Sequence, residues 1–315
     1  MIFLFAYLVP LLLIIFSGEF FIQFLKKLNF GQQVREYGPD SHLKKSGIPT
    51  MGGLLLIGIF LLTSLFLVEL SFEVIIILLV TFILALTGFL DDFLKIKFSR
   101  SLGLRAWQKL ALQFLAALLT AVASFKLNSD LILLPFWGTI SINIGLKFLL
   151  AILVVLGASN AVNLTDGLDG LAAGVTATVC LALAVIFYLI NLEDFSLLML
   201  IMAGSCTAFL WYNANPAAVF MGDVGSLALG GFLATAAVLS NTEFYLLLIG
   251  GIYVIETISV IIQVAYFKYS GGKRVFKMTP LHHHFELSGL AENKIVNRFV
   301  IITIILALLA ISSFL

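Results

Sequence analysis

About ten runs of mainly apolar residues dominate this chain, each close to the roughly 20 residues that an α-helix needs to cross a bilayer. They span 2–25, 51–68, 74–90, 110–125, 146–164, 171–190, 197–212, 226–239, 244–267 and 299–315. No soluble core absorbs that many apolar segments. With lipid as solvent, each span must satisfy its own backbone polar groups, which predicts helices. Composition agrees: of 315 residues 61% are hydrophobic and 11% charged, with a mean hydropathy of +1.13, placing the chain in the polytopic membrane class. The net charge of +1 carries little information, and nucleic acid is not an expected partner. With no linker, low-complexity tract or repeat in view, residues 1–315 read as one integral-membrane domain.

Orientation follows from the basic residues. All of the 18 Lys and Arg except Lys126 and Lys147 fall in the connections that follow odd-numbered spans. Those connections should be cytoplasmic, which leaves both termini outside. The opposite side carries one long connection, 126–147, where L-I-L-L-P-F, Trp137-Gly138 and T-I-S-I-N-I read as a small extracytoplasmic β-hairpin with Pro135 on its edge. Cys180 and Cys206 fall inside apolar spans and read as small core residues, not a disulfide. The first run lacks a basic flank and a cleavage site, so it is expected to be a retained span and not a signal peptide.

Charged residues inside spans are expensive and therefore draw functional scrutiny. Glu19 also reads as a residue near a membrane surface. Glu256, with Gln263 about two turns further along the same helix, suits a polar cleft, and Gly250 and Gly251 allow a bend there or close helix packing.

The chemistry gathers in the inner connections. The first holds K-K-S-G-I-P-T-M-G-G, where Lys45 and Thr50 offer donors to an anion, although a basic loop at a lipid surface reads the same way. The second holds G-F-L-D-D-F-L-K. Asp91 and Asp92 are successive helical residues pointing about 100° apart, so they should do different work unless the helix ends there. Two adjacent carboxylates repel unless a cation relieves them. Mg²⁺, commonly held by one or two carboxylates together with substrate phosphates, is the natural choice; solvated acids at a helix end are the plain alternative. The third, N-A-V-N-L-T-D-G-L-D-G, places Asp166 and Asp169 at i, i+3 on an expected helical face, with Gly167 and Gly170 permitting close backbone approach. The fourth, N-A-N-P-A-A-V-F-M-G-D, adds Asn213, Asp223 and an aromatic ring, Phe220, able to stack on a base. The fifth holds M-T-P-L-H-H-H-F-E; consecutive histidines chelate metal poorly on a helix but suit phosphate. Together these residue types specify phosphoryl transfer from a nucleotide at the inner surface, with a lipid as acceptor or product.

These motifs, G-I-P-T-M-G-G (47–53), G-F-L-D-D-F-L-K (88–95), N-L-T-D-G-L-D-G-L-A (163–172), Y-N-A-N-P-A (212–217), F-M-G-D-V-G-S-L (220–227) and P-L-H-H-H-F-E (280–286), occur in family order across nearly the whole chain. They resemble the bacterial phospho-N-acetylmuramoyl-pentapeptide transferases, within the polyprenyl-phosphate N-acetylhexosamine-1-phosphate transferase superfamily. Ile48 departs slightly, since the family more often has threonine before the proline. The resemblance implies ten transmembrane helices in the bacterial inner membrane, a cytoplasmic active site, Mg²⁺ as cofactor, and transfer of phospho-MurNAc-pentapeptide from UDP-MurNAc-pentapeptide to undecaprenyl phosphate, giving lipid I and UMP. A homodimer is compatible with it. By motif position it implies Asp223 as the metal carboxylate, Asp91 and Asp92 as a catalytic pair, and His282 as the essential histidine. It further implies substrate contacts at Lys45, Thr50, Lys95, Lys109, Asn163, Asp166, Asn213, Gln263, His283 and His284, and a uridine pocket of Gly167, Leu168, Asp169 and Phe220. A sister transferase moving GlcNAc-1-phosphate shares the acidic motifs, whereas the P-L-H-H-H-F-E loop resembles the muramoyl branch. A transporter or lipid-binding scaffold, the rival from another class, would gather its ionisable groups near the midplane.

Overall fold

The computed structural model describes residues 1–28, 47–98, 103–127 and 130–314. Its helices are α1 (Ile2–Lys27), α2 (Gly53–Leu67), α3 (Phe72–Lys97), α4 (Ala106–Lys126), α5 (Ile144–Thr165), α6 (Leu171–Leu189), α7 (Glu193–Asn213), α8 (Gly222–Leu239), α9 (Glu243–Ile249), α10 (Gly251–Tyr269), α11 (Leu281–Glu286) and α12 (Glu292–Ser312). Among the described residues nine helices are long and apolar enough to span a membrane, and the 15-residue α2 is a shorter apolar helix. The expected ninth span is broken: α9 stops at Ile249 and α10 restarts at Gly251, so the glycine pair does mark a bend.

Helix α8 is the axis of the molecule, buried along nearly its whole length. Its most extensive neighbour is α3, followed by α5. The contact with α3 is close because Gly88 has no side chain: a Cβ there would overlap the carbonyl of Asp223. Small residues allow this backbone approach in membrane packing, and here it brings the start of α8 beside the last turns of α3.

The hairpin forms as expected, β1 (Leu131–Leu134) antiparallel to β2 (Gly138–Ser141), with Leu131 opposite Ser141. Pro135 lies in the turn between the strands, not on an edge, because its fixed φ suits a turn and its missing N–H would break the ladder. Lys147 anchors the hairpin from inside: its ammonium donates to the Leu131 carbonyl and pairs with Glu243, both side chains almost fully buried. Removing either partner would strand a charge in a dry site. Glu19, by contrast, is exposed and accepts from Gln23 one turn on. Cys180 and Cys206 are buried and free.

Two local expectations resolve differently. Helix α3 does not end at its acids but continues to Lys97, so Asp91 and Asp92 point in different directions. Asp166 and Asp169 share no helical face, because α5 ends at Thr165 and the next helix starts only at Leu171. Gly170, at φ +77°, takes the left-handed conformation that closes this turn.

Candidate active site

Four connections meet at the end of α8, and the fifth reaches the third of them. Asp223 lies in its first turn, where the helix dipole favours an anion, and α3 delivers Asp91, Asp92 and Lys95 on successive turns. One carboxylate oxygen from each of Asp91, Asp92 and Asp223 lies within 4.8 Å of the other two.

Two lysines hold this group together. Lys95 Nζ lies 2.6 Å from Asp91 Oδ2, 3.2 Å from Asp92 Oδ1 and 3.0 Å from Asp223 Oδ2. Lys109 Nζ, from α4, donates to Asp223 Oδ2 at 2.8 Å. The two aspartates of the pair have distinct partners, as their helical positions require. Asp91 accepts from the Leu104 N–H at 2.8 Å, which ties it to the α3–α4 connection, while Asp92 accepts from the Val224 N–H at 3.3 Å, which ties it to α8. Asn163 donates to Asp223 Oδ1 at 2.9 Å and to Ser226 Oγ at 2.8 Å. Behind it, Gln113 and Asn160 exchange amide hydrogen bonds between α4 and α5.

The remaining loops build the wall. Phe220 is stitched by its backbone to the first loop, its N–H to Pro49 and its carbonyl to Gly52, which brings Thr50 against Gly222. Asn213 accepts from the Gly170 N–H and donates to the Val219 carbonyl, so its amide joins the third loop to the fourth. Asp169 accepts from Asn215 and the Ala217 N–H, and its own N–H donates to Glu292 Oε1 at 2.6 Å. Leu168 is buried in the core. Asp166 stands just past α5, and burial, followed by the charges of Asp223, Asp92 and Asp169, pushes its carboxyl up to about 8. The fifth loop reaches the third through His282, whose Nε2 abuts Gly167.

Asp91, Asp92, Asp223, Lys95, Lys109 and Asn163 are thus joined directly, and Asp166 is coupled to them by charge. Gln263, on α10, bonds the backbone of Val275 and Phe276 in the fifth loop, where His283 also pairs with Glu286 and His284 accepts from the Lys277 N–H. Lys45 lies outside the described residues. Glu292 and Ser226 join the network although the sequence reading passed over them. Ser226 stands three residues after Asp223 and shares its helical face, a usable signal; Glu292 looks like any acid in a first helical turn.

Three carboxylates with hard oxygen donors, drawn together against two ammonium groups among the described residues, fit a divalent cation such as Mg²⁺. Dense opposed charge at a preorganised site suits stabilisation of a transferring phosphoryl group.

Comparison with known proteins agrees with this chemistry. Residues 74–241 match the glycosyl transferase family 4 model, and residues 45–57 match phospho-N-acetylmuramoyl-pentapeptide-transferase signature 1. A phospho-N-acetylmuramoyl-pentapeptide-transferase of Caldanaerobacter subterraneus subsp. tengcongensis is 47% identical over 307 residues, covering 96% of this chain and 95% of the relative. Proteins of the same name from Desulforamulus reducens, 45% identical over 93% of this chain and 90% of the relative, and from Thermoanaerobacter sp. (strain X514), 46% identical over 98% and 97%, are similar along nearly their whole length.

Proposed function

The chain belongs to the phospho-N-acetylmuramoyl-pentapeptide-transferase family, and from that premise we propose how its site performs the lipid I-forming step. It is a multi-pass membrane transferase of a phospho-sugar. Its substrates are UDP-MurNAc-pentapeptide and undecaprenyl phosphate, and its products lipid I and UMP. The observation that carries this reading is the contact of Asp91, Asp92 and Asp223 with Lys95 and Lys109 at one point.

An oxygen of the lipid phosphate attacks the phosphorus bound to MurNAc. The bond from that phosphorus to the bridging oxygen of UMP breaks, and UMP leaves with the electron pair. One phosphoanhydride replaces another, so no external energy source is required. Asp91 orients the attacking phosphate and takes its proton when it carries one. Lys95 and Lys109 neutralise charge on the reacting phosphates. Asp91, Asp92 and Asp223 would hold Mg²⁺, which would supply further neutralisation of charge on the phosphates. Gly167, Leu168, Asp169 and Phe220 form the uridine side, with Asn213 fixing the two loops that carry them. Thr50, Asn163, Asp166, His282 and His283 complete the substrate surface. The basic residues on one side of the spans support a cytoplasmic site in the bacterial inner membrane, with both termini outside.

The test is substrate choice. Purified protein given undecaprenyl phosphate and Mg²⁺ should release UMP from UDP-MurNAc-pentapeptide and not from UDP-GlcNAc. Turnover of UDP-GlcNAc alone would assign the chain to the sister activity.

A further inference from the structure

The fifth loop is fastened to α10 at two places. Gln263 spends both ends of its amide on Val275 and Phe276. Two turns earlier, Glu256 is fully buried, and the contacts of its carboxylate among the described residues are all to His282. The His282 N–H donates to Glu256 Oε1 at 3.1 Å and to Oε2 at 3.4 Å. The ring's Nδ1 lies 3.2 Å from Oε2, within ion-pair reach though outside hydrogen-bond geometry.

A buried carboxylate within a membrane helix is costly unless it is partnered. An anchor for the loop would need only the backbone contact. The second contact adds information, because a lone pair on Nδ1 would repel the carboxylate at that distance, so the geometry favours the hydrogen on Nδ1. In that tautomer Nε2 is the acceptor. Nε2 is buried against Gly167 of the third loop with no hydrogen-bond partner among the described residues.

We propose that Glu256 is a positioning residue for His282, fixing its ring orientation and its Nδ1–H tautomer so that Nε2 is presented at the third loop of the active site. The proposal rests on the reading of His282 as part of the reaction site. Carboxylates behind metal-ligating imidazoles are recurrent, and losing such a partner typically costs about 10- to 100-fold; an effect of that order is expected for the ring here.

Turnover would be measured for the full chain in detergent with Glu256→Ala, Glu256→Gln, His282→Ala and the double variant Glu256→Ala/His282→Ala, each compared with the parent at equal monodisperse yield. Glu256→Ala should lower kcat at least about tenfold with little change in KM for the nucleotide sugar. Glu256→Gln, which keeps an acceptor oxygen, should recover much of the loss. The double variant should be no slower than His282→Ala alone. Nitrogen-15 spectra of the histidine rings, assigned by difference against His282→Ala, should show Nδ1–H in the parent and lose that signature in Glu256→Ala. Losses that multiply in the double variant, or an unchanged ring signature in Glu256→Ala, would overturn the proposal. Parental turnover in His282→Ala would instead remove His282 from the reaction, and this role of Glu256 with it.

Discussion

Asp166 shows what a single residue at this site must tolerate. Burial and three neighbouring carboxylates raise its carboxyl to about 8, so at neutral pH it keeps a proton that the unfolded chain gives up. Its contribution to stability is therefore complete below the ordinary carboxylate range near 4 and is lost progressively as pH rises to about 8. Asp166→Asn removes that dependence. In chelator-containing buffer, the melting temperature of the variant minus that of the parent should climb from pH 4 to pH 8 and level off above it. A difference that stays constant across this range would contradict the assigned environment.

At the scale of elements, the meeting of α3 and α8 sets the geometry of the site. Gly88 touches the backbone of Asp223 one turn before Asp91 and Asp92, so these two helices cannot move apart without separating the three carboxylates. Gly88→Ala inserts a methyl group where the Asp223 carbonyl stands. Overpacking of this kind costs about 1–3 kcal/mol; the variant should melt earlier in thermal unfolding and lose at least about tenfold in UMP release. Parental stability and activity in Gly88→Ala would show that the two helices have room to spare.

Across the whole molecule, the spans were legible in sequence because the bilayer imposes a length on every helix, and the acidic motifs were legible because charge beside a long apolar run is conspicuous. The hairpin at 131–141 is visible in the two short apolar runs either side of Trp137-Gly138, although Pro135 belongs to the turn and not to the edge. Local pattern was silent where the partner is distant. Nothing in the sequence around Glu256 says that it meets His282, and nothing around Glu292 says that it receives the Asp169 N–H from another loop. The i, i+3 spacing of Asp166 and Asp169 misleads, because α5 already ends at Thr165 and Gly170 turns the chain into the next helix. Gln263 likewise gives no local sign that its amide ties α10 to the fifth loop through Val275 and Phe276.

The central claim is that carboxylates and amines from separate segments act together as one phosphoryl-transfer centre, with Asp223 in its middle. Its most direct test is UMP release by purified Asp223→Ala, compared with the parent at equal, monodisperse yield and with Mg²⁺ present. The variant should be folded and inserted yet slower by about 10³-fold or more. Parental turnover in Asp223→Ala would contradict the account.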